Sequence, residues 1–254
     1  MKIVNTIPTE LTCLSLAPSS SSIKYGIVGG RNLLKLFSIQ QDTDGTITGM
    51  KMGKDLSLTS SVDVAINPTL ENVAAAANTK RTVELWELIS TSKRDFVTLE
   101  RASISKLSWQ VSDPNTILIG GSDGLLRVAD SRLQEPVHTV MDAKSREIRD
   151  CQFNPHDNCT LAACFDNGTV QIFDQRQPRT CSRRLLVHDG GASCLSYHPT
   201  RRGLLASGGR ASGLPTQVGH AYKLKILHTD REAFTLRSIR VSDRISGRLE
   251  SLPD

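Results

Sequence analysis

The 254-residue chain predicts an all-β fold built from one repeated unit, and three observations carry that expectation. Five segments present the same parts in the same order. Their short runs alternate apolar and polar residues with the period of two that belongs to strands, and no segment between them sustains a helical period. The repeat spacing of about 40 to 55 residues is the length of a four-stranded propeller blade, so the expected architecture is a β-propeller with five recognisable blades.

The segments cover 11–39, 60–88, 102–132, 146–176 and 190–229. Each opens with an alternating strand that ends on an apolar or aromatic residue, as in "CQFNP" (Cys151 to Pro155) and "CLSYHP" (Cys194 to Pro199). A short strand rich in Ala and Ser follows, as in "TLAACF" and "LLASGG", then a polar turn, then a second alternating strand such as "GTVQIFD" or "GLLRVAD". Gly, Asn, Asp and Pro bound these runs because they satisfy turn geometry and break ladders. Ser38, Glu87, Asp130, Asp174 and His228 stand at the equivalent position after the last strand. The fifth segment fits when about a dozen residues after Arg210 form an insertion, and residues 230–254 are expected to be a tail or the start of a partial sixth blade.

Composition narrows the function. With 38% hydrophobic and 22% charged residues the chain belongs among folded proteins. Aromatics are only 4%, which argues against a surface on which single-stranded bases stack. The six cysteines, at 13, 151, 159, 164, 181 and 194, form no Cys-x-x-Cys pair and have no paired histidines to complete a zinc site. They read as reduced thiols, most of them small core residues, and no metal or cofactor is expected. No apolar run approaches the roughly 20 residues needed to cross a bilayer. The expected location is cytoplasmic, with membrane contact only indirectly through partners.

Several motifs imitate sites. "GGSDG" (Gly120 to Gly124) fits the hydrolase elbow with Ser122 as nucleophile, but that motif requires a helix next, and "LLRVAD" alternates as a strand. A hairpin turn holding Ser122 and Asp123 is expected instead. "DTDGTITGMK" (Asp42 to Lys51) imitates a calcium loop, yet Lys51 stands where a bidentate glutamate is required, so an interblade loop is expected. "FDNGT" contains a glycosylation sequon, but reads better as a tight turn in which Asp166 hydrogen-bonds locally and Asn167 and Gly168 supply positive φ angles. The six histidines are scattered and none is paired with an activated nucleophile, so no catalytic residue is assigned and the protein is expected not to be an enzyme.

Charge is uneven. From Arg176 to Arg210 there are seven arginines (176, 179, 183, 184, 201, 202, 210) against one acid, Asp189. Loops of a meander alternate between its two ends. Arg179, Arg183 and Arg184, read as an interblade connection, are expected on the same face as Arg210 in the middle turn, with Arg201 and Arg202 opposite. Arg176, Arg179, Arg183, Arg184 and Arg210 are the expected partner-binding residues. They suit an acidic protein or anionic headgroups at least as well as a phosphate backbone, so nucleic acid is an unlikely partner. The plainer alternative is a solvated rim.

The segments resemble WD repeats, with the dipeptide degenerate as "WE" (Trp86-Glu87), "AD" (Ala129-Asp130) and "FD" (Phe173-Asp174). His188, in "VHDGGASCLSY", stands where WD repeats place the histidine that ties a blade's loop to its turn, a structural duty. "GGRNLLKLFSI", "IRDCQF", "FDNGTVQIFD", "QRQPRTC" and "LLASGGR" further resemble the WD-repeat subunits of the GATOR complex, the SEA complex of fungi, over 11–229 and most closely over 146–210. That resemblance implies a non-catalytic scaffold, partnered with other subunits including propeller proteins, at the lysosomal or vacuolar surface. There it would promote TOR-pathway activation when amino acids are plentiful. Members of that family have seven blades followed by a helical solenoid and a zinc-binding RING-type domain, and no Cys/His cluster in these 254 residues fits that zinc. An alternative comes from "ADSR" (Ala129 to Arg132) and "FDQR" (Phe173 to Arg176), whose Asp-x-Arg resembles the box by which WD-repeat substrate receptors dock onto cullin ligases.

Overall fold

The computed structural model describes residues 11–16, 25–41, 47–57, 59–133, 136–144, 146–210, 222–228 and 237–241. All regular structure among them is β, in five four-stranded sheets, each a meander whose chain neighbours lie side by side. The first holds β1 (Leu11–Leu16), β2 (Tyr25–Gly30), β3 (Leu33–Gln41) and β4 (Ile47–Ser57). The second holds β5 (Ser61–Ile66), β6 (Val73–Asn78), β7 (Thr82–Glu87) and β8 (Ser92–Thr98). The third holds β9 (Ile104–Trp109), β10 (Thr116–Gly121), β11 (Leu125–Asp130) and β12 (Val137–Asp142). The fourth holds β13 (Ile148–Phe153), β14 (Thr160–Phe165), β15 (Thr169–Asp174) and β16 (Cys181–Leu186). The fifth holds β17 (Ala192–Tyr197), β18 (Leu204–Arg210), β19 (Tyr222–His228) and β20 (Arg237–Val241).

The three-strand pattern of the sequence thus carries a fourth strand in every sheet. That strand pairs on one side only, and in the second and fourth sheets it is largely solvated, so its binary pattern is weak. In β8, "SKRDFVT", only Phe96 and Val97 are buried, and β16 alternates half-buried with exposed residues. Residues 237–241 pair antiparallel with β19. The 211–221 insertion, the 42–46 part of the calcium-like loop and the remainder of 230–254 lie outside the described residues.

The chain forms two compact units, 1–119 with 129–138 and 120–128 with 139–254. In the first unit, Ile27 and Leu34 pack with Val64, Ile66 and Trp86, while Ala75, Ala77, Val83 and Leu85 pack with Leu107, Trp109, Ile117 and Ile119. In the second, Ala162, Cys164 and Val170 pack with Leu195, Tyr197, Leu205 and Leu227. The second strands are sandwiched on both faces, which is why β6 reads "VAAAAN" and β14 "TLAACF": small apolar residues let the neighbouring sheet approach.

Each unit also repeats one clamp between sheets. Asp63 accepts the Leu107 backbone N–H at 2.7 Å and the Lys106 ammonium at 3.1 Å, and the equivalent Asp150 accepts the Leu195 N–H at 2.7 Å. Burial pushes the Asp63 carboxyl up, opposed by Lys106 and by the N–H groups it accepts.

The turn joining the second and third strands is the same in several sheets. Arg81, Gly124 and Gly168 donate their N–H to Asn78, Gly121 and Phe165 at 3.0–3.2 Å, and all three have positive φ, as does Asn32 in the first sheet. This corrects the expectation for "FDNGT": Gly168 alone of the pair takes positive φ, at +82°. A turn closed by a single left-handed residue joins the strands, so Asn167 instead accepts the Thr169 N–H through its side chain, at 3.1 Å.

Candidate protein-interaction surface

The residues expected to build turns are held within the fold. Ser122 and Asp123 occupy the β10–β11 turn, and the chain then enters strand β11 rather than the helix a nucleophile elbow needs. Asp123 accepts the Leu125 N–H at 3.2 Å and pairs with Arg127 at 2.5 Å. Its carboxyl is lowered, because the Arg127 and Leu125 bonds outweigh the burial that raises it.

His188 is fully buried and its Nε2 shares a 2.8 Å hydrogen bond with the Ser207 hydroxyl. Its backbone N–H, with that of Val187, donates to the Gly168 carbonyl at 2.9–3.0 Å. A Cβ on Gly168 would overlap the His188 carbonyl oxygen, and one on Gly209 would overlap the His188 ring. Asp166, expected to hydrogen-bond locally through its side chain, is held through its backbone instead: its N–H donates to Glu147 O at 3.2 Å, a Cβ on Gly191 would press on its carbonyl, and its Oδ1 is buried without a partner among the described residues. These residues tie the fourth sheet's turn to the fifth sheet.

The arginines are distributed differently from the expectation. Arg183 and Arg184 lie in strand β16, opposite Ile172 and Gln171, not in an interblade connection. Because β16 closes the fourth sheet, residues 175–180 form its third-to-fourth-strand turn, which shares an end with first-to-second-strand turns. Arg176 and Arg179 therefore fall on the end of their meander that matches Arg201 and Arg202 in the fifth, and Arg210, at the far terminus of β18, falls on the opposite one. Arg183 and Arg202 line one cleft of about 500 Å³ together with His156, Asp157, Asp174 and Tyr197. The grouping inferred from sequence reversed because it took 179–184 as the connection beyond the blade's last strand, whereas that strand is Cys181–Leu186 itself.

The first unit has an equivalent cleft, of about 630 Å³, which sequence reasoning did not identify. Its floor is Trp86, Trp109, Leu85 and Val73, and Lys93, Arg94 and Arg132 stand at its edge. The Trp109 indole N–H donates to Ala65 O at 3.0 Å and that of Trp86 to the buried Glu84 carboxylate at 3.2 Å. Both rings are thereby fixed.

The two Asp-x-Arg turns match in their bonding. Asp130 accepts the Arg132 backbone N–H at 2.9 Å and its guanidinium at 2.6 Å, and Asp174 does the same for Arg176 at 2.9 and 2.6 Å. The arginine side chains stay 63% and 69% exposed. The Arg176 guanidinium and N–H hold the Asp174 carboxyl below its ordinary range.

Repeated meanders, second strands sandwiched between neighbouring sheets, a buried histidine on a neighbour's serine and Asp-closed third strands define a class: the chain is a WD-repeat β-propeller, and residues 134–174 match the model "WD domain, G-beta repeat". Within that class it is similar to GATOR2 complex protein WDR24: 34% identical over 72% of the chain to the Xenopus laevis protein and 33% over 80% to the Homo sapiens one. A more distant relative is Restriction of telomere capping protein 1 of Candida albicans, 26% identical over 80% of the chain. The chain spans about a quarter of the length of the WDR24 relatives, 24% and 26% respectively, and 20% of the Candida protein. Among solved structures, a chain in the crystal structure of the Mitotic Checkpoint Complex superposes with a TM-score of 0.69 over 92% of this chain and 71% of its own, at 15% identity, a likeness of fold alone.

Proposed function

We propose that the protein is a non-catalytic WD-repeat scaffold subunit of a GATOR2-type complex, the SEA complex of fungi, which promotes TOR-pathway activation in response to amino acids. The observation that carries this reading is the similarity to WDR24 over most of the chain. The site geometry agrees with a scaffold: Ser122 and Asp123 lie in the β10–β11 turn, Asp166 in the β14–β15 turn, and His188 is bonded to Ser207 between strands, so these residues are spread over separate turns. In this reading its partners are other complex subunits, and it reaches the lysosomal or vacuolar membrane through them rather than by itself. Arg176, Arg179, Arg201 and Arg202 are the exposed cations through which the second unit would meet them.

A second reading, docking to a cullin ligase adaptor, rests on the identical geometry of the Asp130–Arg132 and Asp174–Arg176 turns. Native purification of the tagged chain from its own cells, with mass spectrometry of the bound proteins, separates the two. Co-purification of GATOR2-type subunits, reduced by Arg176→Ala with Arg179→Ala, supports the first. Recovery of a cullin adaptor, lost in Arg132→Ala with Arg176→Ala, would replace it.

A further inference from the structure

Among the described residues eight large hydrophobic side chains are exposed, and four of them, Leu70 (40%), Ile89 (83%), Val111 (58%) and Leu133 (48%), belong to the turns around the first unit's cleft. Topology puts them together. Leu70 and Val111 sit in the first turns of the second and third sheets, joined by a Thr69 hydroxyl that donates to Val111 O at 3.3 Å, and Leu70 itself lines the cleft. Ile89 and Leu133 sit in the third turns, each beside a lining stretch, Glu87 and Arg132. Scattered apolar residues on a surface need no explanation, but clustered ones around a concave site mark a place where something binds.

Charge specifies what. The acids that pair with the edge cations lie beneath the surface: Glu84, under Lys93, is 6% exposed and Asp130, under Arg132, 13%. The cations they hold are 43% and 63% exposed, so with Arg94 three cations face outward along the cleft against one exposed lining acid, Glu87. Arg94 donates to the Ser131 carbonyl, immediately before Arg132, which ties its guanidinium to the turn that carries Arg132. Each guanidinium carries five donors in a planar fork, and the bonds to Asp130 and Ser131 engage only part of each set. Pre-oriented arginines beside an apolar floor match a carboxylate next to a large apolar side chain.

We propose that this cleft binds an extended protein segment in which an apolar anchor, seated on Leu70, Val73 and Trp109 beside the Trp86 ring that Lys93 covers at 5.5 Å, is followed within a few residues by Asp or Glu bound to Arg94 and Arg132. The proposal stands independently of the GATOR2 reading. It also brings its own reporter, because the two tryptophans on the cleft floor are the only two in the protein.

The test pans random 12-residue peptides on phage against the full chain, then titrates the enriched peptide while tracking tryptophan fluorescence. The expected result is a consensus pairing an aromatic or branched aliphatic residue with a nearby acid, and a saturable spectral change. Affinity should fall about tenfold or more in Arg94→Ala with Arg132→Ala and in Leu70→Asp, and decline with added salt. Arg184→Ala, on the exposed side of β16, should bind like the parent, and thermal melts confirm that each variant is folded. No enrichment, a basic consensus, or binding that survives both cleft variants would overturn the proposal.

Discussion

The cleft beside the second and third sheets and the cleft beside the fourth and fifth occupy the same register positions and differ in chemistry. Leu70 of the first corresponds to Asp157 of the second, Trp109 to Tyr197, Pro114 to Arg202 and Leu85 to Ile172. A similar cross-sheet contact recurs one residue apart: the Thr69 hydroxyl reaches Val111 O at 3.3 Å, and His156 Nε2, at the position of Thr69, meets His198 O, at that of Gln110, at 2.9 Å. The blade frame and its strand residues set the hollow, and the turn positions Leu70/Asp157 and Pro114/Arg202 set whether its rim is apolar or ionic. Function can therefore vary blade by blade without disturbing the fold.

That division is open to attack from both sides. The frame should be the expensive part. Gly168→Ala places a methyl against the His188 carbonyl at a φ of +82°, and an unfolding free energy lower by about 4 kcal/mol or more is expected in urea titrations monitored by circular dichroism. A loss of only a few tenths would mean that the turn is not packed as described.

Next come the clamps. Asp63→Ala and Asp150→Ala each leave a buried backbone N–H without its acceptor and should cost about 2–3 kcal/mol, by the same method and equally in both units. Acid separates Asp63 from Asp174, in opposite senses. Asp63 has its carboxyl raised, so the folded state takes up its proton first, and its contribution to stability declines as pH rises from about 4 through the raised value. Asp174 has its carboxyl lowered, so its contribution is complete above about 4 and is lost as pH falls through the lowered value. Difference titrations of Asp63→Asn and Asp174→Asn against the parent should therefore slope in opposite directions; equal slopes would contradict the burial described.

His188→Ala should cost about 2 kcal/mol, from the lost packing and the unpaired Ser207 hydroxyl, with a matching drop in melting temperature. The smallest effect has the other sign. Thr91, β-branched and in the turn after the second sheet's third strand, takes a φ of 54°, so Thr91→Gly should stabilise by about 1 kcal/mol. A destabilising result would show that the Thr91 side chain contributes bonds that offset its strain.

Much of this was legible in the residues alone. The alternation of "TVQIFD" and the small residues of "TLAACF" mark strands because periodicity is a local property, and "FDNGT" announces its turn because Gly168 is needed there. His188 was legible as a structural tie through the WD-repeat resemblance, and its partner Ser207, 19 residues on, was not. Fourth strands were expected from the repeat length but not placed, because an outer strand with one solvated face tolerates "SKRDFVT" and "CSRRLL", whose charges read as loop. The error about the arginines has the same origin, since reading Cys181–Leu186 as the connection between blades moves Arg179 to the wrong end of its meander.

By itself, the sequence determined the class of fold, the first three strands of each sheet and the turns between them, since these depend on hydrophobic period and backbone preference within a few residues. Only the tertiary structure decided which turns share an end of a sheet, and what each hollow is lined with. Asp63 finds the Leu107 N–H 44 residues later, and Trp109 finds Ala65 across the same span, because a blade is closed by contacts with the next repeat. The chemistry of a cleft belongs to two repeats at once, and no single repeat contains it.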